Sequence, residues 1–249
     1  ISSFKVWVLT SVLKANGSLP LGEKGRLEYN RIMTTAGPVI EKAVKIAQKK
    51  QCPALSKDIN IGDMSISANL RDIMEDAAVV LTYGKLNGAR LISTWINHLF
   101  LNVAGPSNYP KETHLIGRDP KGKNKAITYV FPSISSGATK IFKALVSIYK
   151  TGRQQPFYFF CETAWQFIQV LSKKDYSLNQ DVVINAMNRS KANWYGGYYQ
   201  TGEKENPYIS LCVEDYDPFE NVDALLRSRF PQNAVTVFRP LMENLKVIS

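Results

Sequence analysis

The sequence predicts an α/β protein, a small mixed sheet flanked by helices, and three observations carry that prediction. From Ile66 to Ile73, the residues Ile66, Ala68 and Leu70 alternate with Ser67, Asn69 and Arg71, the period of a half-buried strand. Ala77 to Tyr83 is nearly continuous apolar sequence, as in a strand covered on both faces. After the breakers Gly84-Lys85-Leu86-Asn87-Gly88, a helix repeats Leu91, Trp95 and Leu99 one turn apart. Strand, strand, tight turn and helix is the order of a metal-dependent nuclease core. The positions that should hold metal carboxylates carry other residues.

The other elements follow in chain order. Phe4 to Ala15 reads as a helix with Phe4, Val8 and either Leu9 or Val12 on one stripe, stopped by Asn16-Gly17-Ser18. Leu19-Pro20-Leu21-Gly22 is an extended connector. A long helix is expected from Glu28 to Lys50, interrupted near Gly37-Pro38 because Pro38 removes a backbone donor and suits the start of a new segment. Its second half carries Lys42, Lys45, Lys49 and Lys50, which fits a phosphate-facing edge or a solvated helix face.

Beyond the loop at Gly105 to Pro110, a hairpin is expected with arms Thr113 to Gly117 and Ala126 to Phe131. Its tip sets Arg118, Lys121, Lys123 and Lys125 against Asp119 alone, which fits contact with a DNA backbone or simply a soluble turn. Ser135 or Ser136 is placed to cap a helix running to about Lys150, with Ile141, Leu145 and Ile148 inward and Gly152 past its end. The adjacent aromatics Phe157-Tyr158-Phe159-Phe160 cannot all face one way, so they read as core. A helix through Trp165, Ile168 and Leu171 follows, and another from Gln180 to Arg189.

Lys191, Trp194 and Tyr195 then stand beside the flexible Gly196-Gly197 pair, as either a stacking platform for single-stranded DNA or a packed loop. Short helices around Pro207 to Val213, Asn221 to Arg229 and Pro240 to Val247 close the sequence. Together these predict one domain over 1–249, helical to about residue 60, a sheet core over about 61–131, and helical from 133 onward.

The 249 residues are 45% apolar and 21% charged, enough for a sizeable core. No apolar run approaches the about 20 residues of a membrane span. Three cysteines, Cys52, Cys161 and Cys212, lie far apart, so neither a disulfide framework nor a CxxC metal site is available, and a reducing cytoplasm is expected. A net charge of +10, from 31 basic and 21 acidic side chains, favours an acidic partner, with nucleic acid the first candidate. The opening Ile1 to Trp7 has neither an initiator Met nor the order of a signal peptide, so the sequence is expected to be a piece of a longer protein.

A nuclease of this plan needs two acids to hold a divalent cation and a nearby Lys to assist the attacking water. In the first strand the acid's place falls at or near Arg71, and Asp72 is one residue out of phase. In the second, the acid-x-Lys triplet falls on Thr82-Tyr83-Gly84. Thr82 is neutral and Gly84 has no side chain, so Arg71, Thr82 and Gly84 are degenerate nuclease positions. Lys85 is adjacent but has no metal to serve. Asp72, Glu75 and Asp76 fit an ordinary acidic turn, and His98 and His114 fit packed or hydrogen-bonded roles. No phosphate loop of the GxxxxGK type and no Gly-x-Ser-x-Gly motif occurs, so no catalytic residue, metal ligand or cofactor is assigned to this chain.

Four passages, in order, resemble a known family. They are Asn16-Gly17-Ser18-Leu19-Pro20-Leu21-Gly22; Leu91 through Trp95-Ile96-Asn97-His98-Leu99; Tyr149 through Gly152-Arg153-Gln154-Gln155-Pro156 to Phe160; and Trp194 with Glu203 to Tyr208. The family is the C-terminal domain of RecC, the gamma subunit of exodeoxyribonuclease V. The resemblance implies a restriction-endonuclease-like core, of the PD-(D/E)xK type, that has lost its active site. It further implies RecB-like and RecD-like helicase partners, ATP and Mg2+ used in those other subunits, and work on double-stranded DNA ends and separated single strands in recombinational repair. Two readings from other classes stay open: an active metal-dependent DNA exonuclease, and an independent DNA-binding module.

Overall fold

The computed structural model describes residues 11–122, 124–198, 200–214 and 216–248. The helix expected from Phe4 lies mostly outside them, though residues 11–15 are helical and end at Asn16, whose N–H donates to the Val12 carbonyl at 3.0 Å.

A four-stranded mixed sheet organises the molecule, in the order β3 (Ala78–Lys85), β4 (Thr113–Arg118), β5 (Ala126–Phe131) and β8 (Lys246–Ile248), while β6 (Gly196–Gly197) and β7 (Gln200–Thr201) pair separately. Strand β3 (Ala78–Lys85) runs parallel to β4 (Thr113–Arg118), and β4 pairs antiparallel with β5 (Ala126–Phe131) in the expected hairpin. Strand β8 (Lys246–Ile248) adds antiparallel to β5. Parallel pairing of β3 with β4 requires a crossover, and α2 (Gly88–Ala104) provides it.

Alternate residues of the strands face opposite layers. Val79, Ile116 and Ala126 meet Val39 of α1 (Gly22–Ala47) on one side. Ala78, Leu115 and Phe131 face a larger core with α2, where Leu91, Trp95 and Leu99 are buried as their spacing requires. That core continues into α4 (Cys161–Leu171), α5 (Gln180–Tyr195) and α8 (Phe230–Glu243). Helix α3 (Ala138–Gln154) contributes Phe142, while α6 (Pro207–Val213) and α7 (Val222–Arg227) fall where expected. Among the described residues no helix is long and apolar enough to cross a membrane.

Several expectations need correction. The first 60 residues are not all helical, because β1 (Leu55–Ile61) pairs with β2 (Met64–Leu70) as a separate two-stranded hairpin. The signal was present: Ile59 and Ile61 alternate before Gly62-Asp63, and Gly62 takes the left-handed φ of +65° that a two-residue turn demands. Strand β2 ends at Leu70, short of Ile73, and β3 is covered on both faces only at its start; Leu81 and Tyr83 are about half exposed.

Helix α1 runs through Pro38 without interruption. Burial of Ala36 and Val39 on either side of the proline offsets the single donor that it lacks. Neither Ser135 nor Ser136 caps α3; its N-cap is Gly137 in a left-handed conformation, and Gly152 lies inside the helix. The last helix spans Phe230–Glu243, with Pro240 inside it, and residues 246–248 are strand.

Helix α2 is held at both ends by distant side chains. Its own first turn has no acid and its last turn no base. The Glu162 carboxylate accepts from the N–H groups of Gly88 and Ala89, each at 3.0 Å. At the other end, Lys57 donates to the Ala104 carbonyl at 3.2 Å, and Lys111 to those of Leu101 and Gly105. An acid at the N-terminus and cations at the C-terminus match the helix dipole. Gly88 permits the close approach, since a Cβ there would stand 2.7 Å from Trp165 Cβ and 2.8 Å from the Cys161 carbonyl oxygen. Glu203 repeats the device one helix back, accepting from the N–H groups of Glu162 and Thr163. We expect Glu162→Ala to cost about 1–2 kcal/mol in urea unfolding, the scale of a lost N-cap, and Glu162→Gln to cost less.

Candidate nucleic-acid interface

Because β3 and β4 are parallel, their C-terminal ends emerge at one edge of the sheet, and Lys85 stands opposite Arg118 in register. The Arg118 guanidinium lies over the Tyr83 ring at 5.1 Å. Arg90, in the first turn of α2, donates from Nη1 to the Lys85 carbonyl at 2.8 Å. The β4–β5 tip adds Lys121 and Lys125, both exposed. Lys123 lies outside the described residues.

Hydrogen bonds shape this tip. Asp119 N–H donates to the Lys125 carbonyl at 2.9 Å, Gly122 N–H to the Asp119 carbonyl at 3.1 Å, and Lys121 N–H to Asp119 Oδ1 at 2.9 Å. Three expected contacts, Arg118, Lys121 and Lys125, are thus gathered with Lys85 and Arg90. Such an edge attracts phosphates irrespective of sequence. Sequence reading missed Arg90 as a member, because only the β3-turn-α2 geometry folds it back toward Lys85.

The three positions expected to be degenerate nuclease positions, Arg71, Thr82 and Gly84, do not line one hollow together. Arg71, exposed beyond the end of β2, lines a small hollow of about 90 Å3 with Asn69, Val80, Asn97 and Thr113, on the α2 side. Asp72 lines a different hollow with Lys49 and Leu81, on the α1 side; Arg71 and Asp72 both lie beyond the end of β2, and Asp72 turns the backbone with a φ of +54°. The Thr82 hydroxyl accepts from Gly84 N–H at 3.2 Å. The space that a side chain at Gly84 would need is filled by the Arg90 guanidinium. Among the described residues no group of three or more His, Cys, Asp or Glu could hold a metal ion, and Asp76 pairs instead with Lys49.

Two further titratable groups, His98 and Cys161, are perturbed by burial. His98 is fully buried, stacked on Trp95 with centroids 5.3 Å apart, its Nδ1 2.9 Å from the Thr113 hydroxyl. Burial pushes its pKa down to about 4, so the ring is neutral near pH 7. Burial, and then the carboxylates of Glu162 and Glu203, push the Cys161 thiol up to about 12. A thiol so protonated is a poor nucleophile.

The proposed platform at Lys191, Trp194 and Tyr195 needs correction. Trp194 is not on a loop; it ends α5 with 0% exposure, its ring 4.3 Å from Phe160 and 5.5 Å from Phe219. Its indole N–H donates to Asp217 at 2.9 Å. A side chain enclosed on every face has no surface for a base. Tyr195 is 40% exposed, but burial and then its bond to Asp217, with Glu220 beyond, push its pKa up to about 12. Those acids oppose a phosphate there. Lys191 is half-buried on α5.

An α/β domain with a mixed sheet flanked by helices and a basic sheet edge is the class these features define. The chain belongs to the RecC C-terminal domain family, which it matches over residues 6–172. It is also 25% identical over 205 residues to the RecBCD enzyme subunit RecC of Buchnera aphidicola subsp. Schizaphis graminum (strain Sg). That alignment covers 80% of this chain and 18% of the relative.

Proposed function

We propose that this chain is a non-catalytic, nuclease-like domain of an exodeoxyribonuclease V gamma subunit, retained to handle DNA and dock partner subunits. Membership of the RecC family supports the place in that complex. The helix-strand-strand-strand-helix-strand order from α1 to β4, with β3 parallel to β4, supports descent from a restriction-endonuclease-like core. The loss of catalysis is supported by Arg71, Thr82 and Gly84 falling where the sequence reading expects a nuclease's acids and Lys, and by the Arg90 guanidinium that fills the space beside Gly84.

In this reading residues 1–249 act as one domain, without metal or cofactor of its own, in the cytoplasm. RecB-like and RecD-like helicase subunits, using ATP and Mg2+, unwind double-stranded DNA ends. The basic edge at Lys85, Arg118, Lys121 and Lys125 meets the DNA backbone and helps route the separated strands. The activity test is incubation of the protein with linear duplex DNA and Mg2+. No metal-dependent cleavage is expected, and Asp72→Ala should change nothing. Cleavage abolished by Asp72→Ala would restore the active exonuclease. Co-purification with helicase subunits tests docking; tight, steeply salt-dependent DNA binding without such association would favour an independent binding module.

A further inference from the structure

Helix α6 (Pro207–Val213) carries two apolar stripes, and only one of them is covered. Val213 is buried and Ile209, one turn earlier, packs against the core. Tyr208, Leu211 and Cys212 form a second stripe at i, i+3 and i+4, turned away from the core, with Tyr208 80% and Leu211 75% exposed. This surface is set in advance. Pro207 starts the helix, the Asn206 side chain accepts from Tyr208 N–H at 3.0 Å, and Lys204 in the preceding turn is tied to Asp217 at 2.8 Å. A helix already formed loses little freedom when a partner settles on it.

The charge around α6 runs against that of the protein. From Glu205 to Leu226 the sequence holds six acids, Glu205, Glu214, Asp215, Asp217, Glu220 and Asp223, and no Lys or Arg, in a chain of net charge +10. Asp217 is engaged by Lys204 and the Trp194 indole. Among the described residues no cation pairs with Glu205, Glu214, Glu220 or Asp223. Glu214 directly follows α6, at the negative end of a helix with no base in its last turn, where a cation from outside would be welcome. We propose that the outer face of α6 docks a cationic amphipathic helix of another protein, with Tyr208 and Leu211 entering between its aliphatic side chains and Glu205 and Glu214 meeting its Lys or Arg. The seven residues of α6 rise about 10 Å, so acids at its two ends suit cations about seven residues apart on a helix lying alongside. The same acids repel phosphates, so this face does not suit nucleic acid. The inference deepens the partner-docking half of the reading above and rests on it.

The test is photocrosslinking from Leu211→benzoylphenylalanine in the protein assembled with its helicase subunits. A synthetic helix with Lys at i and i+7 and Leu at i+3 and i+4 is offered, and adducts are mapped by mass spectrometry. Adducts are expected on that peptide, or on a Lys- and Arg-rich helix of a subunit that keeps the peptide out. Adducts on DNA or on a second copy of this chain, or none at all, would overturn the proposal. In anisotropy titrations with the peptide, Leu211→Asp and Tyr208→Ala should each weaken binding about tenfold, the scale of an anchoring side chain. Glu205→Gln with Glu214→Gln should weaken it about fivefold at low salt and flatten its salt dependence. Where a subunit excludes the peptide, the same variants are read as loss of that subunit on co-purification. All four substitutions lie at exposed positions, and unchanged urea unfolding of each variant guards against misfolding. Affinities and co-purification all within twofold of the parent would also overturn the face. If the helicase subunits still co-purify when adducts fail, docking lies elsewhere and the reading above survives; if they do not, both fall.

Discussion

Replacing Trp194 with alanine is expected to destabilise the fold by about 3–5 kcal/mol, the cost of deleting a large buried aromatic. The indole sits among Phe160, Phe219 and Phe230, with Phe160 stacked 5.8 Å from Phe230 and Phe219 meeting Phe230 edge-on at 5.0 Å. Its N–H holds Asp217, which also accepts from Phe219 N–H at 2.9 Å and from Lys204 at 2.8 Å. Removal would leave both a cavity and a carboxylate short of one donor. Burial raises the Asp217 pKa, yet its bonds to Lys204, Phe219, Trp194 and Tyr195 outweigh that and hold it below the usual value. Trp194→Phe should therefore cost less, about 1–2 kcal/mol, mainly the lost hydrogen bond to a charged group. Urea unfolding of the two variants checks this. A Trp194→Ala variant as stable as the parent, but weakened on single strands, would return this residue to the surface.

The second large effect is acid sensitivity from His98. An unfolded histidine binds its proton near pH 6.5, whereas the buried ring does so only near pH 4. Below pH 6.5 the unfolded state therefore takes up the proton first. Stability from this group is complete above pH 6.5, declines as pH falls through 6.5 toward 4, and declines no further below that. The full loss is about 3 kcal/mol. The ring cannot readily escape, because it is packed between Trp95 and Phe131 and Asn102 ties the neighbouring backbone, donating to the carbonyls of His98 and Lys111. Thermal unfolding measured at pH 7 and pH 4.5 should show the drop, and His98→Asn should flatten it while lowering stability at neutral pH. An equally steep profile in His98→Asn would show that the loss does not come from this ring.

Local pattern was enough for much of this fold. The Leu91, Trp95, Leu99 repeat buried one helix face, and the turn-rich tip between Thr113 and Phe131 closed the hairpin where its Asp, Pro and Gly residues allowed. Strand β1 was missed, although Ile59, Ile61 and Gly62-Asp63 carry the same kind of signal. Strand β8 was not: three residues, all exposed, have no periodicity, and only the open edge of β5 makes Lys246–Ile248 a strand. Trp194 was misplaced because a basic and aromatic run beside two glycines looks alike whether it stacks on a base or on Phe160 and Phe219.

The sequence alone determined that Arg71, Thr82 and Gly84 bring no carboxylate to the positions where the nuclease reading looks for one. It also set the helices and strands whose periods are short enough to read along the chain. Only tertiary structure decided that β3 pairs with β4 while β2 pairs with β1, that Glu162, Lys57 and Lys111 complete the ends of α2, and that Lys85, Arg90, Arg118 and Lys121 share one edge. The reason is range. Periodicity reports the environment of neighbours a turn or a pleat away, whereas these contacts join groups far apart in sequence, and packing alone brings them within hydrogen-bonding or Coulombic reach.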